Sequence, residues 1–241
     1  MADQKRPLAE SVAPRPRLLD LFCGAGGAAM GYYRAGFDVV GVDIVPQPNY
    51  PFEFHQADAL DWALDGYDAI HASPPCQAFT AYKRRPNHVP DYPNLIALVR
   101  VLISATGLPY VIENIPGAKA ELIDPIQLCG SSFGLDVRRH RLFESNVAVL
   151  APPCDHGWQT PRFPQATNRQ NLRSTVEVGV YRIPLAVQQK AMDIDWMRLD
   201  ELSEAVPPAY TEWLGAWLRR AAENLADSHV RQTGGACDGA K

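Results

Sequence analysis

Short apolar runs, each closed by a polar or glycine turn, recur through the first two-thirds of the chain, separated by helix-length stretches. Leu18-Leu19-Asp20-Leu21-Phe22 gives way to the turn Cys23-Gly24-Ala25-Gly26-Gly27, a helical stretch reaching Ala35, and a second run, Val39-Val40-Gly41-Val42-Asp43. This order, strand, glycine turn, helix, strand, predicts a βαβ unit. A third short strand is expected near Phe52-Glu53-Phe54, and the runs at residues 69–72 and 110–112 each follow a helix-length segment. The whole reads as α/β, a doubly wound, mostly parallel sheet. Near the C-terminus, residues 210–225 read as an amphipathic helix packing Trp213, Leu214 and Trp217 on that sheet.

In a sheet of this kind ligands sit at the carboxyl ends of the strands, so the residues that terminate each run carry the chemistry. Glycines in the first turn let a ligand approach the backbone and aim helix amides at it. Asp43 closes the second run and Asp58 follows the third. The interval from Gly27 to Asp43 is close to the spacing of about 20 residues used by dinucleotide sites, which suits a nucleoside-bearing cofactor. After the run at 69–72 comes Ser73-Pro74-Pro75-Cys76-Gln77. Two prolines fix φ and remove donors, so the turn cannot relax into helix or sheet, and Cys76 is displayed at a strand end. Val111-Ile112-Glu113-Asn114-Ile115 ends in a carboxylate on the same edge and is stopped by Pro116-Gly117, giving a nucleophile and a proton donor side by side. In Arg138-Arg139-His140-Arg141, alternation places Arg139 and Arg141 on one side of an extended segment, suited to an anion or a base carbonyl.

Composition narrows the setting. A chain of 241 residues with 46% hydrophobic and 21% charged positions has enough length for one core without staples. Five cysteines at irregular spacing, with no signal peptide before them, point to reduced thiols and a cytoplasmic location. No apolar run reaches the roughly 20 residues that span a bilayer. Formal net charge is −4, yet residues 137–173 hold Arg138, Arg139, Arg141, Arg162, Arg169 and Arg173 against Glu144 and Asp155 alone, a local basic patch of the kind nucleic acids select. Residues 1–16 and 226–241 lack periodicity and are expected to be disordered tails. No internal repeat is present.

Taken together, the glycine turn, Ser73-Pro74-Pro75-Cys76-Gln77, Glu113-Asn114-Ile115 and Arg139-His140-Arg141 resemble, in order and spacing, the motifs of the cytosine-C5 DNA methyltransferases, and Leu202-Ser203-Glu204-Ala205-Val206-Pro207-Pro208 resembles that family's closing cofactor motif. The resemblance implies a Rossmann-like S-adenosylmethionine-dependent fold acting on double-stranded DNA as a monomer, with methylation of cytosine C5 by base flipping. It places S-adenosylmethionine on Phe22, Cys23, Gly24, Ala25, Gly26, Gly27, Asp43, Ile44, Asp58, Ala59, Pro75, Ala205 and Val206. Asp43 takes the ribose hydroxyls and Asp58 the adenine. Cys76 is the nucleophile toward C6, Glu113 the acid at N3, Arg141 the residue that holds the base carbonyl and orients the acid, and Arg139 an anion-binding neighbour. Gln77, Thr80, Lys83, Arg84, Arg85, Arg162, Arg169 and Arg173 are the candidate nucleic-acid contacts, the lysine-arginine run lying on a loop that closes over phosphates.

The chain departs from that pattern where a large recognition domain is usual. Only about 60 residues separate the two blocks. The boundaries expected are a catalytic domain over 17–146, a short irregular recognition segment over 147–182 suited to a short target, and closing helices over 183–225, with the stretch 183–197 standing in for the helix before the closing motif. Val137 stands where the family commonly has glutamine, Thr80 where serine is common, and Ser203-Glu204 replaces Gly-Asn. Cys154 and His156, with Cys129, offer zinc-type ligands, but their spacing matches no familiar site, and no metal is assigned. An RNA-directed relative and a catalytically silent nucleic-acid-binding relative stay open as alternatives, as do a cofactor group other than methyl, a phage-like or restriction-modification setting, and any restriction or downstream partner.

Overall fold

The computed structural model describes residues 14–80, 92–157, 159–160 and 173–234. Seven strands form one sheet: β1 (Arg17–Leu21), β2 (Asp38–Asp43), β3 (Glu53–Gln56), β4 (Ala69–Ala72), β5 (Tyr110–Asn114), β6 (Ile126–Leu128) and β7 (Arg141–Ser145). Their spatial order is β3-β2-β1-β4-β5-β7-β6, with β7 antiparallel to both its neighbours and the other pairs parallel. A second, two-stranded parallel pair joins β8 (Gln159–Thr160) to β9 (Arg173–Ser174). The helices are α1 (Gly27–Arg34), α2 (Ile96–Ser104), α3 (Leu185–Met192), α4 (Leu199–Glu204) and α5 (Pro208–Gly234). Among the described residues no helix is long and apolar enough to cross a membrane.

The sheet is covered on both faces because successive strand residues point opposite ways. Leu18, Val39, Ala69, Val111 and Phe143 pack under α1 and α5, while Leu19, Leu21, Ile70, Ile112 and Leu142 meet α2. Helices α1 and α5 approach closely because Gly31 carries no side chain: a Cβ there would lie 2.1 Å from both the Pro208 carbonyl and the Thr211 hydroxyl. That hydroxyl donates to the Ala28 carbonyl at 2.8 Å, closing the contact. A third apolar cluster gathers Ala25, Val137, Met192, Ile194, Met197 and Leu202, seating the closing helices beneath the glycine turn.

Four expectations shift in detail. The strand expected near 52–54 starts at Glu53 and runs on to Gln56. The stretch 183–197 is not one helix: α3 stops at Met192 because Asp193 turns left-handed at φ 59° and its carboxylate meets Arg34 at 2.6 Å. Helix α5 continues past Leu225 to Gly234, and its buried stripe is Tyr210, Leu214, Leu218 and Ala222, every fourth residue. Trp213 falls off that stripe and turns toward the loop before β8, where its indole donates to the Leu150 carbonyl at 2.9 Å. At the other end, residues 15 and 16 are already docked: the Arg15 guanidinium sits 4.3 Å over the Tyr33 ring and the Pro16 carbonyl accepts from Asp38 at 2.9 Å.

Candidate active site

Strand β4 ends at Ala72, and the two prolines carry the chain outward to Cys76, which caps one turn of 3₁₀ helix over Gln77–Phe79. Two neighbours from the end of β5 hold this turn. The buried Asn114 amide donates to the Pro74 carbonyl at 2.9 Å. Gly117 passes so near that a Cβ would lie 2.4 Å from the Phe79 carbonyl. The thiol is therefore fixed at the carboxyl edge of the sheet, half-buried and not in a disulfide.

Glu113 comes from the adjacent strand and is almost wholly buried. Arg141, at the start of β7, brings its Nε to 3.1 Å from Glu113 Oε1. That oxygen nonetheless accepts no aligned hydrogen bond from any described residue. Burial pushes the Glu113 carboxyl above its ordinary range, against the pull of Arg141, the Ser73 hydroxyl and Arg139. Burial also raises the Cys76 thiol, and the Glu113 and Glu204 carboxylates raise it further while Arg141 lowers it. The sign of each contribution gives a measurable expectation. Alkylation of Cys76, followed by peptide mass spectrometry across pH, is expected to have its midpoint above that of a free thiol. In Glu113→Gln the repelling carboxylate is gone and the midpoint moves to lower pH; in Arg141→Leu it moves higher. Coincident curves for the three proteins would show that these charges do not reach the thiol.

Arg139 is placed differently from the expectation. Its backbone is left-handed at φ 27°, so the segment is not regular strand and the simple alternation fails. Its side chain crosses to the closing motif, donating to the Ala205 carbonyl at 2.8 Å and the Ser203 carbonyl at 2.6 Å. The Tyr210 hydroxyl donates to the Arg139 carbonyl at 2.8 Å and fixes the turn. Arg139 thus fastens the Arg-His-Arg segment to the closing motif, and Arg141 alone of the two pairs with Glu113. The Arg138 guanidinium donates to the Gln159 carbonyl at 3.4 Å.

Beside this group lies the glycine turn. Phe22 takes φ 57° and Gly24 φ 48°, and a Cβ on Gly24 would meet open space. Asp43 holds the turn through both oxygens, accepting from the Gly24 amide at 3.0 Å and the Val45 amide at 2.9 Å. Asp58 accepts from the Leu60 amide at 2.9 Å, with Ala59 buried behind it and Ile44 65% exposed in front. Gly27 permits the closing motif to come close, since a Cβ there would lie 2.5 Å from the Val206 carbonyl. Trp196, from the α3–α4 connection, donates to the Ala25 carbonyl at 2.9 Å. The turn, Asp43, Ile44, Asp58, Ala205 and Val206 therefore fall on one edge, with Cys23 and Ala25 buried beneath.

A buried polar chain was not expected as part of the site. Tyr32 and His71 Nδ1 are 2.9 Å apart, and His71 Nε2 lies 2.9 Å from the Ser73 hydroxyl, which stands at the root of the Cys76 turn. Burial pushes His71 down to about 3, so it is neutral. Asp20 lies 4.0 Å from it, its carboxyl pushed up by burial and by Asp43. The signal in the sequence was a histidine and an aspartate inside runs otherwise apolar. Of the candidate nucleic-acid contacts, Gln77 has a buried side-chain oxygen with no hydrogen-bond partner among the described residues, and the Thr80 hydroxyl donates to the Gln77 carbonyl at 3.1 Å. Lys83, Arg84, Arg85, Arg162 and Arg169 lie outside the described residues, and Arg173 begins β9.

Known proteins place this geometry in context. No protein-family model matches the chain. A Type II methyltransferase, M.HgiGI of Herpetosiphon aurantiacus, is 26% identical over 121 residues, covering 44% of this chain and 96% of that protein. The methyltransferase EhMeth of Entamoeba histolytica superposes with a TM-score of 0.52 at 12% identity, covering 85% of this chain and 98% of the other. A DNMT2 mutant of Spodoptera frugiperda gives a TM-score of 0.48 at 14% identity over 88% of this chain and 98% of that one. The EhMeth likeness, with the seven-stranded order described above, shows that this chain has the Rossmann-like α/β fold of that methyltransferase.

Proposed function

We propose that this chain is an S-adenosylmethionine-dependent methyltransferase that methylates C5 of cytosine in double-stranded DNA. The observation that carries the reading is the convergence of three groups at one sheet edge: a cysteine held on a rigid turn, a buried carboxyl with an unsatisfied oxygen, and an arginine 3.1 Å from it. The name of the Herpetosiphon relative, a Type II methyltransferase, supports the same reading.

The chain's residues suit the cofactor. Open space over the left-handed Gly24, the exposed Ile44 and the strand-end acids Asp43 and Asp58 match a nucleoside with an apolar face and donor groups at both ends. When bound, S-adenosylmethionine supplies an electrophilic methyl group. The remaining steps belong to the protein. A stacked cytosine cannot offer C6 to a thiol, so the base leaves the duplex at a cost of a few kcal/mol. The Cys76 thiolate adds to C6 while protonated Glu113 hydrogen-bonds or protonates N3, drawing electron density so that C5 becomes nucleophilic. Arg141 keeps Glu113 in place and faces the base carbonyl. After transfer, the C5 proton is removed, the C6–S bond breaks, and the thiolate is regenerated.

The unassigned oxygen of Glu113 is the acceptor or donor that the base edge would complete. Burial is what favours the proton on the acid, against the Ser73 hydroxyl, which joins Glu113 to the neutral His71–Tyr32 pair and pulls the other way. The test is incubation of the purified chain with methyl-labelled S-adenosylmethionine and either cytosine-rich duplex DNA or structured RNA, followed by nucleoside mass spectrometry. 5-Methylcytosine in the duplex is the expected result; label confined to RNA, or absent from both while the cofactor still binds, overturns the DNA reading.

A further inference from the structure

Four metal-type ligands converge on one point outside the site described so far. Cys129 follows β6, His140 sits between Arg139 and Arg141, and Cys154 and His156 lie on the loop before β8. Their ligand atoms, one from each, all fall within 4.8 Å of one another. Cys129 Sγ is 3.3 Å from His156 Nε2, and Cys154 Sγ is 3.5 Å from His140 Nε2. The two imidazoles stand with ring centres 5.4 Å apart.

We propose that Cys129, His140, Cys154 and His156 form a tetrahedral Cys₂His₂ site for a zinc ion that fastens the loop before β8 to the Arg-His-Arg segment. Zinc bonds of about 2.3 Å to sulfur and 2.0–2.1 Å to nitrogen require ligand atoms roughly 3.3–3.8 Å apart in a tetrahedron. The two sulfur–nitrogen separations given above already fall in that window, and the widest pair closes to it by a movement of about 1 Å. Two soft thiolates with two imidazoles select zinc over harder divalent ions. With four protein ligands the site is closed, which is the arrangement of structural zinc and leaves no position for a reacting water.

The surroundings fit a pair of coordinating sulfurs. The Ser131 hydroxyl donates to Cys129 Sγ at 3.2 Å and itself accepts from the Asp155 amide at 3.2 Å, while the Gln127 amide reaches Cys154 Sγ at 3.9 Å. Donors of this kind fix ligand orientation. The charges balance: each thiol loses one proton on binding, so a dication with two thiolates and two neutral imidazoles is net neutral, and two protons pass to solvent. The sequence offered Cys129, Cys154 and His156 but not His140, because the ligands lie in three separate stretches, at spacings no short motif describes.

This inference stands apart from the methylation reading, and its test does not use activity. The full chain, produced without a metal-binding tag, is measured by native mass spectrometry and elemental analysis. About one zinc per chain is expected, falling to below ~0.1 in Cys154→Ser and in His156→Ala, while Cys76→Ala keeps its metal. Cys154 is exposed, so its serine variant should fold, and circular dichroism checks that it does. Cobalt reconstitution of the wild type should give an intense thiolate-to-metal absorption band that Cys154→Ser loses. A wild type that purifies without metal and takes up neither zinc nor cobalt overturns the proposal, as does a Cys129–Cys154 disulfide in the freshly purified chain.

Discussion

Cys76→Ala is expected to abolish formation of 5-methylcytosine, a loss on the order of 10⁴-fold or more, because without the thiolate there is no covalent route to a nucleophilic C5. Calorimetric binding of S-adenosylmethionine should hold within about twofold, since the thiol lies beside the glycine turn and is no part of it. The surrounding turn should survive too: it is held by prolines, by the Asn114 bond to Pro74 and by the close passage of Gly117, none of which uses the sulfur. Nucleoside mass spectrometry reads the outcome. Residual activity above about 1% of wild type would mean that Cys76 is not the nucleophile.

Glu113→Gln is the second large effect. The amide keeps the shape but cannot transfer a proton, and loss of a positioned general acid costs about 10²–10⁴-fold. The pH dependence gives the reading its sharper form. Productive chemistry needs Cys76 deprotonated and Glu113 protonated, and burial raises both groups. As pH rises, the thiolate fraction grows and the protonated Glu113 fraction falls, so the wild-type rate is bell-shaped and the productive pairing is a minor species throughout. In Glu113→Gln the limb that reports Glu113 disappears and the residual rate rises with pH until the thiol has titrated. A bell unchanged in the variant would assign that limb to another group.

The fold was legible because β1, β2, β4 and β5 are mainly apolar, and a run bounded by turns leaves little choice of partner. Cys76, Glu113 and Asp43 were legible for the same reason: strand ends in a parallel sheet all open on one edge. The bonds from Arg139 to the closing motif were not legible because alternation assumes regular strand, and this residue is left-handed just before β7, although its charge still acts on Glu113. Asp20, His71 and the membership of His140 in the Cys129–His156 group went unseen for a different reason. Their meaning lies in neighbours brought together by the sheet, and neither periodicity nor local spacing encodes a contact across strands. The break after Met192 was equally invisible, since it turns on one left-handed aspartate paired with Arg34.

The short β8–β9 pair has a bearing on how this chain can change. Thr160 ends one strand of the pair and Arg173 begins the other, and the Val176 amide donates a hydrogen bond to the Asp136 carbonyl at 2.7 Å. A segment whose two ends are pinned side by side can lengthen at little thermodynamic expense, because closure entropy grows with the logarithm of length and a doubling costs about 0.6 kcal/mol. The sheet edge that carries Cys76 and the closing helices are joined through Arg139 and Tyr210, neither of which belongs to that pair. A longer or different connection between Thr160 and Arg173 is therefore expected to leave the Arg139 and Tyr210 contacts as they are.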